Sequence, residues 1–163
     1  MHIPFEQLPP TARVWIYQAN RALSANETVI IENLLHDFSN NWDSHGEGLK
    51  NSYAILHERF IALGVDESVK GASGCSIDKS VNIIKTIEQR LNINLMDKTQ
   101  IAYIDNHGGN ISSFDFKQAK QLIEGNKINE STIIFDNLVD NIYDFQHHWK
   151  KNISNTWLGK YFK

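Results

Sequence analysis

Cysteine is nearly absent from this chain, because only one of its 163 residues, Cys75, is a cysteine. A single thiol cannot close an internal disulfide, so the sequence excludes a small scaffold held together by its own disulfides. The first ten residues have neither the basic segment nor the apolar segment of a secretory signal. We therefore expect a cytoplasmic protein.

Long hydrophobic runs and an excess of positive charge are also missing. The runs 28–31 and 132–135 are among the longest apolar stretches, and both are too short to cross a bilayer. The 16 Lys and Arg residues are outnumbered by 19 Asp and Glu residues, which gives a net charge of -3 with no block of one sign. We therefore expect neither a membrane nor a nucleic acid as a partner.

The remaining composition is that of an ordinary globular protein. Hydrophobic residues make up 41% of the chain and charged residues 21%, and the length fits one domain spanning 1–163. Within it, Arg13 to Gln18 is apolar on both faces, as in a central strand. Ser24 and Glu27 have the spacing of a capping box, which predicts a helix that continues to about Trp42.

Six elements follow one another in the first two thirds of the chain. After the first strand and helix, two more strands, a helix ending at Asn92 and a fourth strand are predicted, at about 52–56, 59–65, 77–92 and 101–104. A helix over 49–65 also fits the apolar spacing. Neither His57 nor Glu58 favours the positive φ of a tight hairpin, so a longer or bulged connection is predicted between the second and third strands.

This order, βαββαβ, is typical of a ferredoxin-like fold, with an antiparallel sheet whose first and third strands are central. Those two strands are the ones with apolar residues on both faces, which agrees with central positions. We predict an α+β fold with this core over about 11–106 and a C-terminal α/β extension over about 107–163. In the extension, 132–135 predicts a strand, and the helical spacing from Leu138 to Trp149 predicts a helix.

The predicted topology brings two polar loops to the same end of the sheet, and the loop before the second long helix is rich in small residues. Its backbone N–H groups and hydroxyl groups could bind a small anion such as phosphate. Our leading hypothesis is therefore a binding or regulatory protein with an anion site in this loop. The predicted site residues are Gly71, Ser73, Gly74 and Ser76.

Two alternatives remain open. In the first, Cys75 is the nucleophile of a cysteine-dependent hydrolase or transferase and His45, from the opposite loop, is its base. In the second, the chain is an interaction protein that forms a homodimer. No metal ligand set with zinc-type spacing is present, and Asp43, His45 and Glu47 read as solvated loop residues, so neither a metal nor a cofactor is predicted.

Four segments resemble a family of short, uncharacterised bacterial proteins whose members often carry the automatic label "ABC transporter ATPase". The resemblance covers nearly the whole chain and is carried by the residues at 14–21, 42–46, 65–67 and 73–78. It implies a bacterial, cytosolic, stand-alone protein. ATPase activity is not predicted, because Gly74 is followed by Cys75 where a P-loop has lysine, and no L-S-G-G-Q signature is present.

Overall fold

A computed structural model describes residues 1–163, and its fold is α+β, with 39% helix, 25% strand and antiparallel sheets. The strands are β1 (Arg13–Gln18), β2 (Asp43–Ser44), β3 (Glu47–Gly48), β4 (Asn51–Leu56), β5 (Phe60–Val65), β6 (Gln100–Ile104), β7 (Ile111–Asp115), β8 (Ile133–Phe135) and β9 (Lys150–Asn152). The α-helices are α1 (Ala25–Asn41), α2 (Gly74–Leu91), α3 (Ala119–Glu124) and α4 (Ile142–His148). None of these helices is long and apolar enough to cross a membrane.

The first sheet has the order β1-β5-β4, and β5 is antiparallel to both neighbours. The predicted positions of its three strands are confirmed to within one residue at each end. Helices α1 and α2 cover one face, where Ile31 and Ile84 pack with Leu63 in a fully buried cluster. The predicted capping box at Ser24 is confirmed, and Asn92 ends α2 with a φ of 50°.

The fourth predicted strand does not join this sheet, and the ferredoxin-like prediction is therefore not confirmed. Residues 100–104 form β6 in a second sheet of order β7-β6-β8-β9, and β1 pairs along its length with β5 alone. The opposite face of the first sheet is instead covered by α4 and by residues 3–8, through Ile3, Leu8 and Ile142. Strand β1 is thus packed against other elements on both faces although it lies at the edge of its sheet.

The hairpin between β4 and β5 is longer than a tight two-residue turn, as predicted, but its backbone conformation was not expected. Three residues separate the paired Leu56 and Phe60, yet His57 and Glu58 both adopt a φ of 52°. Left-handed backbone of this kind costs a non-glycine residue about 1 kcal/mol or more. Hydrogen bonds from the loop between β1 and α1 offset this cost, because Leu23 N–H in that loop donates to Glu58 O at 2.7 Å.

In the C-terminal third the predicted strand is present as β8, but the helix is shorter than predicted. Helix α4 begins only at Ile142, because the side chain of Asn141 caps it by accepting the N–H of Asp144 at 2.8 Å. Leu138 lies in the preceding turn and is 85% exposed. The helical spacing of 138–149 therefore marks a helix only in its second half.

Aromatic side chains join the two sheets. Phe60 of β5 is fully buried, with its ring centroid 4.7 Å from that of Phe135 and 5.0 Å from that of Trp149. Beside them, Arg59 crosses the same boundary and donates to Ile111 O at 3.1 Å. No carboxylate pairs with Arg59, which is only 8% exposed, and burial lowers the pKa of its guanidinium.

Candidate functional site

The two loops that the sequence places at one end of the first sheet do meet there. Trp42, at the end of α1, donates its Nε1–H to Ser76 O at 2.8 Å, which ties the β2–β3 hairpin to the first turn of α2. Lys70 Nζ lies 3.2 Å from Glu47 Oε2, and Lys79 forms an ion pair with Asp43. Both lysines near the proposed anion loop are therefore already paired.

The predicted anion-binding residues belong to the cap of α2. Ser76 N–H donates to Ser73 Oγ at 3.2 Å, and Ser76 Oγ donates to Ser73 O at 2.8 Å. Neither Gly71 nor Gly74 has a positive φ, and a Cβ on Gly74 would meet no atom within 4 Å. The donors left at the start of the helix are the N–H groups of Gly74 and Cys75, which have no partner in the chain.

Cys75 and His45 are both exposed, and no hydrogen bond joins them. His45 stands at the tip of the β2–β3 hairpin with a φ of 53°. The nearby carboxylate of Asp43 forms no hydrogen bond with His45. It accepts hydrogen bonds from Lys79 and from Gly46 N–H, which lower its pKa. The structure thus places the two predicted catalytic residues on neighbouring elements without assembling them into a pair.

A second candidate site lies along the free edge of β1, where a cleft of about 1040 Å³ separates the first sheet from the second. Trp15 and Tyr17 of β1 line one wall, and Phe116 and Trp157 line the other. Trp157 is 56% exposed, although its ring packs edge-on against Phe116 at 6.0 Å. An apolar cleft of this size with a few polar groups is the usual form of a ligand site.

Polar contacts close both ends of this cleft. At one end Asn137 donates to Gln18 Oε1 at 2.9 Å, and Gln18 Nε2 reaches Gln100 O at 3.5 Å. At the other end Val14 N–H donates to Asp140 O at 2.9 Å. The segment 136–140 therefore runs beside β1 but contacts its backbone at one end only.

Four of the charged groups that line the cleft form two ion pairs. Lys151 Nζ lies 2.8 Å from Asp136 Oδ2. Arg13 Nη1 lies 3.9 Å from Glu67 Oε1, while the guanidinium carbon of Arg13 is 4.7 Å from the centre of the Trp15 ring. Burial raises the pKa of Tyr17, so its phenol stays a neutral donor at physiological pH. The walls thus combine flat aromatic rings with two ion pairs.

The sequence gives no direct signal for this cleft, because its walls come from segments that are distant in the chain. Trp157 is exposed in the structure, whereas Trp42 and Trp149 are buried, and nothing in the residues around these tryptophans distinguishes the two cases. Comparison with family models, with curated proteins and with solved structures finds no match. Function is therefore inferred from the geometry of the two sites.

Proposed function

We propose that the protein is a binding protein whose ligand occupies the cleft along β1. The observation that carries the proposal is the cleft itself, about 1040 Å³ and lined by Trp15, Tyr17 and Trp157. Relative to a ferredoxin-like sheet, the cleft lies on the side of β1 where the fourth strand would pair. The aromatic walls favour a ligand with an apolar, planar or extended surface, since aromatic side chains bury large areas with defined geometry.

The test uses a fluorescent apolar probe, anilinonaphthalene sulfonate, titrated into the native protein. Trp157→Ala should remove most of the probe fluorescence, because it takes away the exposed aromatic wall. Tyr143→Ala is the matched control, because Tyr143 is 52% exposed and lies on α4 outside the cleft. Equal fluorescence from the two variants would refute the proposal.

A second candidate function is binding of a small anion at the start of α2. It is supported by the two unpartnered N–H groups of Gly74 and Cys75, and by the absence of an acidic residue in the first turn of this 18-residue helix. Gly74→Pro removes one donor at a helix position that proline favours, whereas Gly74→Ala keeps it. Titration with sodium phosphate should shift the amide resonances of position 74 and of Cys75 in wild type and in Gly74→Ala, but should not shift the Cys75 resonance in Gly74→Pro.

The cysteine-dependent alternative requires a reactive thiol. It is supported by the exposure of Cys75 in the first turn of α2 and by the anchoring of the His45 hairpin to that turn through Trp42. Alkylation of Cys75 should then accelerate at a lower pH in the wild type than in His45→Ala. Identical pH profiles would remove His45 from the mechanism and leave the thiol without a base.

A further inference from the structure

The free edge of β1 carries backbone groups with no partner. Val14 N–H points to Asp140 and Ala12 O accepts from Ile142 N–H, both away from β5. Because backbone groups along an antiparallel strand alternate in direction, the N–H and C=O of Ile16 point the same way. They bond to no other group of the chain, and Ile16 lines the cleft.

Unpaired backbone groups at a sheet edge are the complement of another extended chain. In β-strand addition the main chain of a peptide pairs with the edge, and its side chains enter pockets beside the strand. At this edge Trp15 and Tyr17 flank Ile16 and both line the cleft. Resting on the proposed function, we propose that the ligand is an extended peptide segment, one residue of which pairs its N–H and C=O with Ile16.

The charges of the cleft indicate the chemistry of that peptide. Its lining contains four carboxylates and three cations, and two of the cations, Arg13 and Lys151, are paired with carboxylates of the cleft. Asp97, Asp140 and Lys98 have no ion-pair partner in the cleft, and their summed charge is negative. The matching peptide is apolar at the residues beside Trp15 and Tyr17 and carries a Lys or Arg outside them.

The experiment selects peptides from a phage-displayed library of random linear sequences of about ten residues, a length that covers a strand of this size. Enriched peptides are then titrated into three proteins: wild type, Ile16→Val and Ile16→Pro. Proline removes the unpaired N–H without breaking a hydrogen bond of the free protein, and edge strands accept proline. Ile16→Val keeps the N–H and the branched side chain.

Ile16→Pro should bind the enriched peptides about tenfold or more weakly, and Ile16→Val should bind them within about threefold of wild type. Hydrogen exchange at the Ile16 amide of wild type should also slow about tenfold when the peptide is bound. This second measurement decides the matter if Ile16→Pro does not fold.

Three results would each overturn the inference. The first is equal peptide binding by wild type and Ile16→Pro, and the second is an Ile16 exchange rate that the peptide does not change. The third is a selection on wild type that enriches no peptide relative to a control selection on Trp157→Ala. Probe fluorescence separates this failure from failure of the cleft proposal. If Ile16→Pro and wild type bind anilinonaphthalene sulfonate equally while no peptide binds, the cleft holds a ligand of another class. If the probe does not bind the cleft of wild type, the proposed function fails as well.

Discussion

Replacing Phe60 by alanine should uncouple the two sheets. Phe60 is fully buried and contacts Phe135 of β8 and Trp149, which precedes β9. Truncation of a buried phenylalanine costs about 3–5 kcal/mol of unfolding free energy, from lost burial and from the cavity that remains. The upper half of this range is expected, because the cavity lies between two sheets. The side chains around it could fill it only if one whole sheet shifted relative to the other.

Urea unfolding at 25 °C, followed by both tryptophan fluorescence and circular dichroism, measures the loss. With a slope of about 2 kcal/mol per molar urea, a loss of about 4 kcal/mol lowers the midpoint by about 2 M. The control is Tyr143→Ala, which removes a half-exposed aromatic ring and should cost less than about 1 kcal/mol. A loss below about 1 kcal/mol for Phe60→Ala would mean that this aromatic cluster does not hold the sheets together.

Three further predictions concern local structure. Gly159→Ala should destabilise the protein by about 2 kcal/mol or more in the same assay, because its Cβ would lie 2.3 Å from the backbone oxygen of Ser154; wild-type stability would contradict the close approach. Burial, helped by Lys150, lowers the pKa of His57, so the unfolded chain binds more protons and stability should fall as the pH drops below about 6.5. His57→Asn, which tolerates the left-handed backbone, should flatten that dependence, and an unchanged slope would exclude His57 as a source. Ser24→Ala should cost about 1 kcal/mol by removing the α1 cap, and no measurable loss would show that the cap is redundant.

The sequence was informative wherever structure is determined by neighbouring residues. The strand at 13–18 alternates large apolar groups on both faces, and the observed bounds agree. Caps are equally local, since Ser24 needs only Glu27 and the left-handed Asn92 needs only the preceding turn. Such features depend on side chains within about four residues of each other, so they can be read without knowing the fold.

The pairing of β1 could not be read in this way. Apolar residues on both faces of a strand favour a position with neighbouring strands on both edges, but the covering of the faces and the pairing of the edges are independent. Helix α4 and the residues around Leu8 bury the second face, and one edge is left to the cleft. Nothing in a strand's own residues distinguishes these arrangements, because the covering segments come from the two ends of the chain.

The positive φ of His57 and Glu58 was not predicted, for a related reason. This left-handed backbone is imposed by the loop before α1, through Leu23 N–H on Glu58 O and Ala19 N–H on Arg59 O. Tertiary hydrogen bonds of this kind override local preference and leave no trace in the two residues themselves. The anion site at this loop stays a prediction, and the contacts by which Ser73 and Ser76 cap α2 are local.

The position of β1 also has a consequence for the protein during its synthesis. A ribosome completes the first sheet once residue 65 has emerged, but the segment 136–140 that runs beside β1 follows some seventy residues later. Until then the strand offers an unshielded edge to other nascent chains, and exposed edges promote aggregation. During synthesis the edge of β1 is therefore the part of the first sheet most open to pairing with another chain.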